Sequence, residues 1–219
     1  MNKICPSLEE AVAGIKDGMS VMIGGFGGAG APIELIHALV DRYKKTGSPA
    51  NITVINNNAG NGAVGIAAMI YAGMVAKMVC SFPRSSDPKA FTDRYLAGEI
   101  GLELVPQGTL AERIRAGGAG IPAFYTPSSY GTDVAEGKPV AEFDGKHYVM
   151  ERWLKADVAI IKAETADKKG NLTYRKAARN FAPLMAMQAA ESRSMAALEN
   201  AVKQANVMRL VLPTTPKRL

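Results

Sequence analysis

Residues 19–56 limit the fold more than any other part of the chain, because they combine a strand, a glycine-rich loop, a helix and a second strand. Val21–Ile23 is a short apolar run, and the sequence GGFGGAG follows it at Gly24–Gly30. Pro32 suits the first position of a helix, whose apolar side has the residues Ile33, Ile36, Leu39 and Val40 at helical spacing. Ile52–Ile55 is the next apolar run. This order predicts a βαβ unit with parallel strands and a right-handed crossover.

Strand-like and helix-like segments continue to alternate along the chain. We predict further strands at 78–82, 102–105 and 158–162, and helices at 8–15, 64–72, 89–97, from 109 and from about 178. Capping boxes at Ser7–Glu10 and Thr109–Glu112 mark two of the helix starts.

Two segments interrupt this alternation. Residues 117–132 are dense in Gly, Pro and Tyr and predict an ordered loop, whereas residues 139–151 predict a hairpin that turns at Asp144-Gly145. The predicted fold class is therefore α/β, an open, mostly parallel β-sheet flanked by helices, with a small β-hairpin insertion near 139–151.

Length and composition favour one domain over residues 1–219 of a chain without membrane segments. The chain has 219 residues, which suits a single core, and its longest apolar run, 67–80, contains Gly73 and is broken by Lys77. The start of the chain does not resemble a signal peptide. Its two cysteines form no disulfide framework and favour a cytoplasmic location.

The net charge of +6 does not indicate nucleic-acid binding, because of where the charge lies. Residues 192–219 carry five basic and one acidic side chain, so residues 1–191 have a net charge of only +2. We find no basic helix and no basic stripe with interleaved aromatic residues, and therefore expect no nucleic-acid partner.

The glycine loop matches G-x-G-x-x-G at Gly25, Gly27 and Gly30, but that pattern alone is weak evidence for a dinucleotide. A dinucleotide site needs an acidic residue at the end of the second strand. Here that strand ends in Asn56, so the loop fails this test. The loop can either form a plain tight turn or present backbone N–H groups to an anion at a helix start.

The second strand runs into NNNAGNG at Asn56–Gly62. Side chains at the carboxyl edge of a parallel strand point into the crevice where such sheets bind ligands. Asn side chains donate and accept hydrogen bonds without titrating, which suits a carboxylate or a carbonyl, although Asn and Gly also simply form turns. Together with the glycine loop, this segment favours a small-molecule site.

The stretch DGMSVMIGGFGGAGAP, Asp17–Pro32, resembles a signature of the family I (3-oxoacid) CoA-transferases at every position. This signature belongs to the first of the family's two subunits. The stretches NNAGNG, Val105–Pro127, Tyr130–Thr132 and Gly170–Ala186 are also similar to that first subunit. The resemblance covers residues 1–191, whereas 192–219 are atypical for the family.

The resemblance implies a ping-pong transfer of CoA through a glutamate in a Ser-Glu-Asn-Gly stretch of the second subunit. Glu199-Asn200 lies in a different context here, so the chain is expected to lack the nucleophile and to work in a heterodimer or heterotetramer. The substrate is a CoA thioester, and neither a tightly bound cofactor nor a metal is expected.

By resemblance, the loop Gly24, Gly25, Phe26, Gly27, Gly28, Ala29 and Gly30 borders CoA. Asn57, Asn58 and Gln107 line the acyl and carboxylate pocket. For Gln107, a solvated turn residue is the alternative.

The segment CSFPR, Cys80–Arg84, is most similar to the 3-oxoadipate branch, in which succinyl-CoA is the CoA donor. Arg84 could hold the second carboxylate of 3-oxoadipate, or form a surface ion pair. Acetoacetate-using and acetate/acetoacetate-using transferases remain the alternative acceptor classes. A non-enzymatic domain that binds a phosphate ligand is the alternative outside enzymes. His37 and His147 are interpreted as structural, because no Ser, Cys or metal-ligand pattern accompanies them.

Overall fold

A computed structural model describes residues 4–167, 170–191, 195–200 and 207–210 of the chain. The helices are α1 (Leu8–Val12), α2 (Ile33–Thr46), α3 (Ile66–Ala72), α4 (Lys89–Leu96), α5 (Gln107–Gly118) and α6 (Ala182–Glu191). The strands are β1 (Ile4–Cys5), β2 (Ser20–Ile23), β3 (Ile52–Ile55), β4 (Val75–Cys80), β5 (Gly101–Leu104), β6 (Ala123–Thr126), β7 (Val140–Phe143), β8 (Lys146–Arg152), β9 (Val158–Ala163), β10 (Thr165–Ala166), β11 (Leu172–Thr173), β12 (Met195–Asn200) and β13 (Val207–Leu210).

The main sheet has eight strands in the order β1-β13-β12-β9-β2-β3-β4-β5. Every pairing from β12 to β5 is parallel, and only the pairings of β13 with β12 and with β1 are antiparallel. At the centre, Val21 of β2 lies opposite Val54 of β3 and Val158 of β9. The predicted open, mostly parallel α/β sheet is confirmed.

Helices cover both faces of the sheet, and each central strand contributes side chains to both. Val21 and Ile23 pack with the buried residues of α1, α2, α3 and α4 on one face, while Met22 packs with those of α5 and α6 on the other. Because both faces are buried, these strands are apolar at successive positions instead of alternating with polar residues.

A separate three-stranded antiparallel sheet, in the order β6-β8-β7, follows α5. The predicted hairpin is confirmed as β7 and β8, and its turn residues Asp144 and Gly145 have φ angles of 50° and 71°, as that turn type requires. The prediction of a loop throughout 117–132 was wrong, because Ala123–Thr126 pairs with β8. Pro122 and Pro127 flank this strand without interrupting its hydrogen bonds.

Several predicted element boundaries were displaced. The helix expected from Thr109 begins at Gln107 and follows Pro106, so Thr109 is a buried residue within α5 and not its cap. Pro32 precedes α2 instead of opening it. Ser7 does cap α1, accepting a hydrogen bond from Glu10 N at 3.2 Å.

The remaining boundaries moved by a few residues. α1 ends at Val12, α3 begins at Ile66, and β4 spans Val75–Cys80. Much of the atypical segment 192–219 lies outside the described residues, but β12 and β13 within it belong to the main sheet. Among the helices in the described ranges, none combines the length and apolar character that a membrane crossing requires.

Candidate functional site

A cavity of about 830 Å³ opens at the carboxyl edge of the main sheet. Its lining comes from the segments that follow β2, β3, β4 and β5 and from the starts of α2 and α3, and includes Ile23, Gly24, Phe26, Gly27, Gly28, Ala31, Ile33, Ile36, Asn56, Asn57, Asn58, Gly60, Asn61, Val64, Gly65, Ile66, Ser81, Phe82, Ser85, Ser86 and Gln107. This is the edge at which parallel α/β sheets bind ligands.

Asn56 joins the end of β3 to the end of β2. Its side chain is 2% exposed, and its Nδ2 donates to the carbonyl oxygen of Ile23 at 2.5 Å. Its Oδ1 accepts from Asn58 N at 3.0 Å. Asn56 therefore fixes the start of the glycine loop relative to the asparagine turn. The run of three asparagines indicated a polar strand end, but this buried bond between strands left no separate sequence signal.

Asn57 and Asn58 have different hydrogen-bonding roles within the same turn. Asn58 Nδ2 donates to Asn57 Oδ1 at 2.9 Å, and Asn58 Oδ1 accepts from Gly60 N at 2.8 Å. Within the described part of the chain, Asn57 Nδ2 has no hydrogen-bond partner, although Asn57 lines the cavity and is only 4% exposed. Its amide can donate to a bound carbonyl or carboxylate.

Gln107 reaches the cavity from the first residue of α5. Ser81 Oγ, whose residue follows β4, lies 3.3 Å from Gln107 Oε1 and donates to it. Ser81 also donates from its backbone N and from Oγ to the carbonyl oxygen of Asn57. Gln107 Nε2 has no partner among the described residues. The structure thus brings Asn57, Asn58 and Gln107 together, and adds Ser81, which the sequence did not single out.

The glycine loop presents backbone donors along one side of the cavity. Gly24 N donates to Ile160 O at 2.8 Å, and Phe26 and Ala29 bond to each other through their backbones. In the described ranges, the N–H groups of Gly25, Gly27 and Gly28 have no protein partner. Of the seven loop residues, Gly24, Phe26, Gly27 and Gly28 line the cavity, while Gly25, Ala29 and Gly30 support them from behind.

Two loop positions require glycine. Gly25 has φ 111°, and a Cβ there would lie 2.9 Å from Ala31 Cα. Gly30 has φ 72°, and a Cβ would lie 2.8 Å from the carbonyl oxygen of Ala178. Both combine a left-handed backbone, which disfavours other residues, with a close backbone contact. The loop is therefore a built conformation pressed between α2 and residues 177–180.

Apolar side chains surround the mouth of the cavity. Phe26, Val64 and Phe82 line it and are 45%, 59% and 58% exposed. Arg84, which was predicted to contact substrate, is exposed on the same segment as Ser85 but does not line the cavity, and it forms no ion pair within the described residues.

The two histidines have partners outside any catalytic arrangement. His37 Nε2 accepts a hydrogen bond from Gly65 N at 3.2 Å, which joins α2 to the start of α3. His147 stacks on Tyr130 with ring centroids 4.6 Å apart. In the described ranges, no group of three or more His, Cys, Asp or Glu side chains could hold a metal ion.

Chemically, the cavity offers amide and backbone donors but little acidity. None of the described residues that line it is Asp or Glu. Such a site can bind a carboxylate and stabilise an oxyanion, whereas nothing in this lining can act as a carboxylate nucleophile.

The family model for coenzyme A transferase matches residues 6–214. The chain belongs to the coenzyme A transferase family. This membership confirms the resemblance seen in Asp17–Pro32 and the expected enzyme class, a CoA-transferase. It disfavours a non-enzymatic phosphate-binding domain.

Curated relatives agree with the family assignment, and each is one subunit of a larger enzyme. The chain is 57% identical over 189 residues to a 3-oxoadipate CoA-transferase subunit of Pseudomonas putida, covering 86% of this chain and 80% of the relative. It is 53% identical over 178 residues to a succinyl-CoA:3-ketoacid coenzyme A transferase subunit of Xanthomonas campestris pv. campestris, covering 81% and 71%.

Solved structures support the fold. An acyl-CoA transferase from Escherichia coli O157:H7, solved as a thioester complex with CoA, superposes with a TM-score of 0.72 at 23% identity. The match covers 90% of this chain but 45% of that one, so this chain spans less than half of that enzyme. The glutaconate coenzyme A-transferase of Acidaminococcus fermentans gives a TM-score of 0.69 at 16% identity, covering 89% of this chain and 66% of that chain.

Proposed function

We propose that this chain is the first subunit of a two-subunit CoA-transferase that moves CoA from succinyl-CoA to a 3-oxo acid, with 3-oxoadipate as the favoured acceptor. One observation carries the proposal. A chain 57% identical to a 3-oxoadipate CoA-transferase subunit has a cavity lined by free amide donors and, among its described residues, by no carboxylate.

The missing carboxylate is the nucleophile, supplied by a glutamate in a Ser-Glu-Asn-Gly stretch of the second subunit. This carboxylate attacks the succinyl-CoA carbonyl and expels CoA thiolate, which leaves a glutamyl–succinyl anhydride. The thiolate then attacks the glutamyl carbonyl and releases succinate, giving a glutamyl-CoA thioester. The acceptor carboxylate attacks this thioester, and the thiolate finally attacks the acceptor acyl carbon, which frees the glutamate.

The role of this chain is to stabilise charge in those steps. Each tetrahedral intermediate places a negative charge on a former carbonyl oxygen, and one aligned donor contributes about 3 kcal/mol to its stabilisation. Asn57 Nδ2 and Gln107 Nε2 are side-chain donors for that oxygen or for the substrate carboxylate. The N–H groups of Gly27 and Gly28 border the thioester end of CoA.

Arg84 is the proposed determinant of the acceptor. Its guanidinium is exposed and unpaired within the described residues, and the adjacent Ser85 and Ser86 line the cavity. A guanidinium binds a carboxylate with two parallel hydrogen bonds, so rotation toward the cavity would bring it to the second carboxylate of 3-oxoadipate. Acetoacetate lacks that group and is the second candidate, favoured by the 53% identity to the succinyl-CoA:3-ketoacid transferase subunit.

The assembly and location are proposals of the same kind. A heterodimer or heterotetramer with the second subunit, acting in the cytoplasm without a tightly bound cofactor, is consistent with relatives that are named as single subunits of CoA-transferases.

Reconstitution tests the proposed function. The chain is purified alone and together with a partner subunit that carries Ser-Glu-Asn-Gly, and succinyl-CoA consumption is followed with 3-oxoadipate and with acetoacetate. We expect turnover from the pair alone, and Arg84→Gln should raise the KM for 3-oxoadipate while leaving that for acetoacetate unchanged. Full activity of the lone chain, or an inactive pair, would contradict the proposal.

A further inference from the structure

The stretch TYRKAARNF, residues 173–181, has no role in the function proposed above, although it belongs to the family-like part of the sequence. Within it, Lys176–Arg179 forms a 3-10 turn that Arg175 precedes. We call the three cationic residues of this segment, Arg175, Lys176 and Arg179, the basic turn.

The basic turn lies directly against the outer side of the glycine loop. Asn180 Nδ2 donates to the carbonyl oxygens of Ala29 at 3.0 Å and of Ala177 at 2.7 Å, so one amide links the loop to the turn. The contact between Gly30 and Ala178 described above adds a second point at which the two backbones touch. A ligand that leaves the cavity over this loop therefore meets the basic turn next.

The charges of the basic turn are not neutralised by this chain. All three side chains are exposed, and among the described residues none of them forms an ion pair. Other cations near the sheet do have partners, since Lys77 and Arg113 bind Glu103, and Lys138 binds Glu151. Lys176 also has φ 48°, a left-handed conformation that costs a non-glycine residue about 1 kcal/mol or more. The segment thus holds three free cations in a fixed, partly strained turn.

We propose that the basic turn binds the phosphate groups at the nucleotide end of coenzyme A. The proposal rests on the proposed function, because it requires the thioester end to lie in the cavity beside Asn57. CoA has a pyrophosphate and a 3′-phosphate, and Arg binds phosphate oxygens through two parallel hydrogen bonds. The chain would then contact CoA at both ends, by neutral amides at the thioester and by cations at the phosphates.

Equilibrium binding to the assembled two-subunit enzyme tests this assignment. Isothermal titration compares CoA with pantetheine, which has the thiol end but no phosphate and is used at millimolar concentration. We expect the triple variant Arg175→Gln, Lys176→Gln, Arg179→Gln to raise the Kd for CoA at least tenfold and the Kd for pantetheine less than twofold. The salt dependence of CoA binding should also become weaker.

A charge-matched control removes three exposed lysines at the opposite edge of the sheet, as Lys16→Gln, Lys44→Gln, Lys45→Gln. These residues precede β2 and β3, so their loss should leave the Kd for CoA unchanged. Because the basic turn is exposed, the thermal midpoint of the variant should stay close to wild type. If the triple variant fails to assemble, the single variant Arg179→Gln should still raise the Kd for CoA about threefold.

Turnover of the wild-type pair separates this inference from the proposed function. Normal transferase activity with an unchanged CoA affinity in the triple variant overturns the inference alone. Equal weakening of CoA and pantetheine binding also overturns it. CoA binding that depends on the basic turn, in a pair that does not transfer CoA, would support the inference and reject the proposed function. A wild-type pair that does not bind CoA contradicts both.

Discussion

Asn58 Nδ2 donates a 2.9 Å hydrogen bond to Asn57 Oδ1, which fixes the amide orientation of Asn57. Since the oxygen of Asn57 is occupied, its Nδ2 remains available to a ligand in the cavity. The two neighbouring residues thus divide the work, because Asn58 orients the amide and Asn57 presents it.

Alanine variants of the two residues should differ in kind. Asn57→Ala should lower kcat about 100-fold, the usual loss when one oxyanion donor is removed, with little change in stability. Asn58→Ala should lower kcat about tenfold and also cost about 1 kcal/mol of unfolding free energy, because both of its side-chain bonds are to the protein. Steady-state kinetics of the reconstituted pair and urea unfolding measure both effects. A kcat for Asn57→Ala within threefold of wild type would show that its amide is not a catalytic donor.

Gly25→Val should abolish turnover, with kcat/KM reduced at least 100-fold. Its left-handed φ and the backbone of Ala31, 2.9 Å from an added Cβ, leave no room for a side chain, so the loop must move. Gly28→Ala is the matched control, since an added Cβ there meets nothing within 4 Å. We expect its unfolding free energy to stay within about 0.5 kcal/mol of wild type. Near-normal activity of Gly25→Val would reduce the loop to a simple turn.

Glu103 should make stability depend on acidic pH. Burial opposes its ionisation, but the hydrogen bonds and charges of Lys77 and Arg113 outweigh burial and hold the pKa of Glu103 below its usual value of 4.5. A lowered folded-state pKa stabilises the protein fully above the unfolded value, and this contribution is lost as pH falls from 4.5 through the folded pKa.

The measurement is the unfolding free energy in urea from pH 7 down to pH 3.5. Glu103→Gln should be less stable than wild type at pH 7, and the difference should shrink below pH 4.5. Glu99→Gln is the control, because its ion pair with Arg94 is exposed and such pairs contribute little. A constant difference across this pH range would show that the carboxylate of Glu103 is not the cause.

Cys80 should be inert to thiol reagents in the folded protein. It is fully buried at the end of β4, and burial raises its pKa to about 12, so the reactive thiolate is scarce at neutral pH. In a Cys5→Ser background, a disulfide reagent at pH 8 should label Cys80 only on unfolding. Labelling at the rate of free cysteine would mean that the cavity wall at Ser81 and Phe82 opens readily.

Much of the fold could be predicted from the sequence because its central strands are buried on both faces. Val21–Ile23, Ile52–Ile55 and Val158–Ala163 are continuously apolar, and the helices between them have apolar residues at regular helical spacing. The position of Asn57 and of the glycine loop then followed from topology, since parallel strands end at the same edge of the sheet.

Features that depend on contacts distant in sequence could not be predicted. β6 is four residues between prolines, and it is a strand only because β8 pairs with it. The bond from Asn56 to Ile23 and the contact of Gly30 with Ala178 join parts of the chain that carry no local signal for each other. At α5, Pro106 and Gln107 form the start of the helix ahead of the capping box that the sequence suggested.

The division of labour between two subunits is tested most directly by trapping the intermediate. The reconstituted pair is incubated with succinyl-CoA, reduced with borohydride to convert the glutamyl thioester to an alcohol, and digested for mass spectrometry. We predict one reduced glutamate, in the Ser-Glu-Asn-Gly stretch of the second subunit, and none in this chain. A reduced glutamate in this chain would contradict the claim that its cavity supplies donors while the partner supplies the nucleophile.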